Sequence, residues 1–125
     1  MREILVVEDD ADIREMFAEV LRGAGYVVYE ADDGQDALEQ LERRNQPCLL
    51  LLDVMMPVMN GPTLLQVLKQ KNRLSSLQVL ALSAADSVHE VGLANGFLAK
   101  PVLPEELLRA VKQYCEPDDP RSWVS

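Results

Sequence analysis

The chain reads as a single α/β domain, a doubly wound parallel sheet with helices on both faces. Short apolar runs recur along it, helical stripes fill the intervals, and carboxylates, a hydroxyl and a lysine follow the runs. A length of 125 residues is enough for one compact core and too short for two.

The first run is Ile4-Leu5-Val6-Val7. The others with the same character are Cys48-Leu49-Leu50-Leu51-Leu52 and Leu77-Gln78-Val79-Leu80-Ala81-Leu82. Each is too short for an ordinary helix. Apolarity that is continuous, not alternating, marks strands covered on both sides. Val27-Val28-Tyr29-Glu30 and Gly96-Phe97-Leu98-Ala99 are weaker strand candidates.

Between the strands, Ile13, Met16, Phe17, Val20, Leu21 and Ala24 fall on one helical stripe, with Gly23 and Gly25 placed to end it. Ala37, Leu38 and Leu41 make a second stripe within residues 34–44. Leu64, Leu65 and Leu68 make a third, opened by Gly61-Pro62-Thr63. Leu107, Leu108 and Val111 make the last, with Pro104 in its first turn and Glu105-Glu106 at the positive end of its dipole. Residues 86–94 leave room for only a short helix. The pattern is β-α repeated five times, which implies crossovers onto a parallel sheet. Residues 1–116 are predicted to form the domain, and 117–125 a polar tail or linker stump.

The net charge of −9 argues against direct nucleic-acid binding, which needs a basic footprint, and suits cation binding or a basic partner. No apolar run reaches membrane-spanning length, and the start lacks the apolar core of a secretory signal. A cytoplasmic protein without membrane contact is expected. Cys48 and Cys115 show no CxxC spacing, so buried free thiols are expected in preference to a disulfide or redox pair.

In an open parallel sheet, ligands bind beyond the carboxyl ends of the strands. The residues there are Glu8-Asp9-Asp10, then Asp53, then Ser83-Ala84, then Lys100-Pro101. Asp10 alone is explained as a helix N-cap, and Ser83 or Lys100 alone as surface groups. Together they place several carboxylates, a hydroxyl and an ammonium at one edge. Clustered carboxylates repel unless a cation neutralises them, and a hard divalent ion, Mg²⁺ above all, suits such oxygen donors. Asp53 beside a metal and a lysine is a plausible nucleophile toward a phosphoryl group.

These stretches resemble the receiver domain of response regulators, the phosphoacceptor module of two-component signalling. The resemblance spans residues 2–115. It is carried by Ile4-Leu5-Val6-Val7-Glu8-Asp9-Asp10, by Leu52-Asp53-Val54-Met55-Met56-Pro57-Val58-Met59-Asn60-Gly61, by Ala81-Leu82-Ser83-Ala84 and by Lys100-Pro101. It implies a flavodoxin-like (βα)5 fold with strand order 2-1-3-4-5. It also implies that Asp53 accepts phosphate from a sensor histidine kinase or histidine phosphotransfer protein. Asp9, Asp53 and the Met55 backbone carbonyl would hold Mg²⁺, with Glu8 acting through water. Ser83 would move to the phosphoryl group and Lys100, joined to Pro101 by a cis bond, would pair with it. Phe97 matches the family's aromatic switch, with plain core packing as the alternative.

Two departures matter. Seventeen positions separate Ser83 from Lys100, fewer than the family usually has, so a shortened fourth helix is expected within residues 84–96. His89, inside that segment, reads as a surface residue. Met55 and Ala85 are apolar where the family tunes water's approach to the phosphoryl group, so slow self-dephosphorylation is expected. The chain is read as a non-enzymatic switch whose effect passes through another protein, as an adaptor or phosphate shuttle, or through a domain lost by truncation. Rival readings are weaker. A phosphorylation-independent pseudo-receiver would be marked by loss of Asp53, Lys100 or the acidic pair. An aspartate-nucleophile phosphatase wants a carboxylate where Met55 stands. A flavin carrier needs a phosphate-cradling loop where Glu8-Asp9-Asp10 would repel the ligand.

Overall fold

The apolar runs form strands and the stripes form helices, in the order β1 (Glu3–Val7), α1 (Ala11–Gly23), β2 (Val27–Ala31), α2 (Gly34–Arg43), β3 (Leu49–Asp53), α3 (Gly61–Gln70), β4 (Val79–Ser83), β5 (Gly96–Ala99) and α4 (Pro104–Cys115). The structure is a computed structural model describing residues 2–43, 47–54, 60–71, 73, 77–83 and 93–116. Most of the segment expected to hold a shortened fourth helix lies outside these residues, as do His89, Met55, Ala85 and the 117–125 tail. The helix here named α4 is the last of the predicted series.

The five strands are all parallel and ordered β2-β1-β3-β4-β5, as expected. Alternate side chains of β1, β3 and β4 enter two separate cores, because successive Cβ atoms point to opposite faces. Leu5, Val7, Leu50, Leu52, Val79 and Ala81 meet Ala37, Leu38 and Leu41 of α2 and Leu64, Leu65 and Leu68 of α3. Ile4, Val6, Leu49, Leu51, Leu80 and Leu82 meet Phe17, Ala18 and Leu21 of α1 and Leu107 and Val111 of α4. Every residue of β3 and β4 is buried, which explains their unbroken apolarity.

Helix ends follow local chemistry. The Asp10 carboxylate accepts from the amides of Asp12 and Ile13 at 3.0 and 3.2 Å, and Asn60 accepts from Thr63 at 3.0 Å, each satisfying orphan amides of a first turn. After α1, Gly25 turns the chain with φ of 100°, a left-handed conformation open to glycine at little steric penalty.

The cysteine expectation is corrected. Cys48, just before β3, and Cys115, the last residue of α4, form a disulfide with a Cα–Cα distance of 5.6 Å. The spacing of 67 residues hides this pairing. It arises because α4 runs back antiparallel to the strands and returns its end to the start of β3. No helix among the described residues is long and apolar enough to cross a membrane.

Candidate functional site

At the carboxyl edge, parallel register brings together four strand ends that are distant in sequence. Asp53 pairs with Leu82 across β3 and β4, and Ser83 pairs with Ala99 across β4 and β5. The Lys100 amide donates to the Ser83 carbonyl at 2.9 Å, extending the ladder past Ala99, and the Lys100–Pro101 peptide is cis. On the other side of β3, the Glu8 amide donates to the Ala31 carbonyl at 3.1 Å, so the acidic loop leaves β1 still paired to β2.

Glu8, Asp9 and Asp53 each offer an oxygen, and these oxygens lie within 4.8 Å of one another. Glu8 and Asp53 are each only 2% exposed, whereas Asp9 faces solvent. The Lys100 ammonium donates to Asp53 Oδ1 at 2.5 Å and stands 3.9 Å from Glu8 Oε1. Lys100 thus pairs with two of the three clustered carboxylates.

The imbalance appears in the polar groups left over. Glu8 Oε1 and Ser83 Oγ are the buried side-chain oxygens without a hydrogen-bond partner among the described residues. A buried polar atom left unpaired typically costs about 1–3 kcal/mol. Burial foremost, followed by the hydrogen bond and negative charge of Asp53, pushes the Glu8 carboxyl up to about 8. Hard oxygen donors, an excess of negative charge and an orphaned buried carboxylate oxygen together fit a divalent cation such as Mg²⁺.

Each expected site residue within the described set is accounted for. Glu8, Asp9, Asp53, Ser83 and Lys100 converge. Met55 lies outside the described residues, and Asp10 serves as the α1 cap. Phe97 is 43% exposed, on the face of β5 opposite Leu98, which packs into the core under α1 and α4.

Two supporting residues escaped the sequence reading. Arg14 donates to the Glu8 carbonyl oxygen at 2.8 Å and pairs with Glu30 at 3.4 Å, so its guanidinium braces the acidic loop against the end of β2. Glu30 also receives Arg22 at 3.3 Å. The available signal was a cation one helical turn past the Asp10 cap, on a face otherwise apolar.

Known proteins resemble this chain in sequence and fold. The family model for the response regulator receiver domain matches residues 4–112. An uncharacterized 14.6 kDa protein of Leptolyngbya boryana, from the sodA1 3′ region, is 39% identical over 118 residues, covering 90% of this chain and 89% of that protein. The response regulator MprA of Mycobacterium leprae is 42% identical over 131 residues, and the match covers 98% of this chain but 56% of MprA. Among solved structures, the chemotaxis protein CheY4 of Vibrio cholerae superposes with a TM-score of 0.81 at 32% identity, covering 91% of this chain and 98% of CheY4. Matching family, matching fold and one shared edge for the acidic and basic groups lead to a single assignment: the chain belongs to the response regulator receiver domain family.

Proposed function

We propose that residues 1–116 act as a phosphorylation switch in which Asp53 accepts a phosphoryl group. The observation that carries this reading is the setting of Asp53: buried, 2.5 Å from the Lys100 ammonium, and grouped with Glu8 and Asp9. An Asp53 oxygen attacks phosphorus in line as the bond from phosphorus to the donor breaks, leaving an acyl phosphate and a free donor. Lys100 then pairs with the phosphoryl oxygens instead of the carboxylate alone. The Ser83 hydroxyl, buried at the next strand end and without a partner among the described residues, donates to one of those oxygens. Phe97, exposed on β5, follows Ser83 inward and alters the surface that a partner reads.

Asp9, Asp53 and the Met55 carbonyl are the proposed direct ligands of Mg²⁺, with Glu8 acting through water. When bound, the ion neutralises the carboxylates and offsets charge on the transferred group. The proposed donor is a sensor histidine kinase or histidine phosphotransfer protein in the cytoplasm, and the output is a changed contact with a downstream protein. An apolar recess formed by Ile13, Met16, Phe17, Pro101 and Val102 beside Lys100 is a surface such a donor would cover. With apolar Met55 and Ala85 flanking the site in sequence, the acyl phosphate is proposed to be long-lived; release of phosphate with a half-life of seconds would refute that part.

The test is incubation with acetyl phosphate and Mg²⁺, read by intact mass. One phosphoryl adduct on the native chain, absent from Asp53→Asn and from samples with chelator, is expected. No adduct on the folded native chain would favour a phosphorylation-independent pseudo-receiver.

A further inference from the structure

At the amino edge of the sheet, far from Asp53, the end of α4 is fastened twice. The Cys48–Cys115 disulfide ties it to the start of β3. Beside it, the Tyr26 hydroxyl donates to the Glu116 carboxylate and holds the residue after the helix to the start of β2. The two sulfurs differ in setting. Cys115 is 1% exposed within the core under α1 and α4, whereas Cys48 is half-buried and packs at the margin of that core. The Cα–Cα distance of 5.6 Å lies at the commonest value for disulfides, so the fold itself brings the pair into bonding range.

We propose that Cys48 and Cys115 form a thiol–disulfide exchange site whose redox state latches or releases the last turn of α4. Opening takes two equivalents of a low-molecular-weight thiol of the glutathione class. One thiolate attacks the more accessible Cys48 sulfur, forming a mixed disulfide and expelling the Cys115 thiolate, which takes up a proton. A second thiolate attacks the added sulfur, giving the free small-molecule disulfide and the Cys48 thiolate, which is also protonated. Two electrons and two protons pass to the protein, and two thiols become one disulfide. Closure is the reverse, with a small-molecule disulfide as the oxidant.

The consequence is local. Released from Cys48, α4 keeps the Tyr26–Glu116 hydrogen bond and the burial of Leu107 and Val111, but its last turn loses the covalent tie to the central strand. Cys115 is the last residue of α4, so this latch sets how firmly the end of that helix is anchored. It is separate from phosphorylation at the opposite edge.

The test equilibrates the folded chain in glutathione buffers of increasing reducing power, quenches with an alkylating agent and reads intact mass and hydrogen exchange. A reversible change from no alkylated cysteines to two is expected. In the reduced form the amides of residues 110–116 should exchange about tenfold faster or more, with the strands unchanged. Cys115→Ser should trap a single glutathione on Cys48. If burial of Cys115 makes that variant fail to fold, Cys48→Ser should reproduce the fast exchange of the reduced native chain. Two alkylated cysteines under oxidising buffer, or equal exchange at 110–116 in both forms, would overturn the proposal. Beryllofluoride uptake at Asp53, run on the same samples, tests the phosphoacceptor reading separately.

Discussion

The two edges of the sheet are built on opposite rules. At the amino edge, polar and sulfur groups are paired off: Cys48 with Cys115, Tyr26 with Glu116, and the Cys48 amide with the Glu3 carbonyl at 2.8 Å. At the carboxyl edge they are in surplus. Three carboxylates cluster, two of them paired with the Lys100 ammonium, and two buried oxygens have no partner among the described residues. A fold can tolerate such a surplus where its central strands are as thoroughly packed as β1, β3 and β4 are here. The carboxyl edge thus carries unbalanced charge, whereas the amino edge is closed by a disulfide and a hydrogen bond.

Removing the cation should break this contrast most severely. Lys100→Ala leaves Asp53 and Glu8 facing each other without compensation, and phosphoryl transfer from acetyl phosphate should slow about 100-fold. Single-turnover mass measurements would show it, with the metal-free fold retained by circular dichroism.

Opening the disulfide should break the other edge alone. Closing a loop of this length constrains the unfolded chain, so reduction should lower the Tm by about 10 °C while leaving uptake of phosphate by Asp53 unchanged. Differential scanning calorimetry with and without reductant provides the comparison. A related effect is expected from Gly96→Ala at the start of β5. A β-carbon there would collide with the Tyr114 hydroxyl of α4, and the overpacking should cost about 1–3 kcal/mol in urea titrations.

A pH dependence confined to the carboxyl edge sharpens the comparison. Glu8 binds its proton more tightly folded than unfolded, because burial and Asp53 disfavour its charge. Its contribution to stability is therefore fully present below its ordinary value of 4.5 and is lost as pH rises through about 8. In chelator, the Tm should fall across that window, and saturating Mg²⁺ should remove most of the fall. The mildest effect is expected from Arg14→Gln, which touches no proposed ligand side chain. Loosening the Glu8 carbonyl should weaken Mg²⁺ binding about tenfold by calorimetry, with Arg14→Lys giving partial recovery.

Much of this was legible in the sequence, for definable reasons. Leu49 to Leu52 announce a strand buried on both faces because a parallel sheet covers both faces. Asp10 announces a cap because its carboxylate acts within three residues. Glu8, Asp9, Asp53, Ser83 and Lys100 were found because strand ends in a parallel sheet share one edge. What escaped depends on how distant segments meet. Nothing near Cys48 signals that α4 will return Cys115 to it, and nothing near Arg14 signals that the end of β2 offers Glu30. The exposure of Phe97 likewise depends on what covers its face of β5, which its own apolar neighbours do not reveal.

The central claim is that the surplus at the carboxyl edge exists to receive a phosphoryl group on Asp53. The most direct measurement is ¹⁹F NMR of the native chain with beryllofluoride, a mimic of the acyl phosphate, titrated with Mg²⁺. Protein-bound fluoride signals that appear only with Mg²⁺ and vanish in Asp53→Asn are expected. Bound signals that persist in Asp53→Asn, or none in the folded native chain at saturating Mg²⁺, would contradict it.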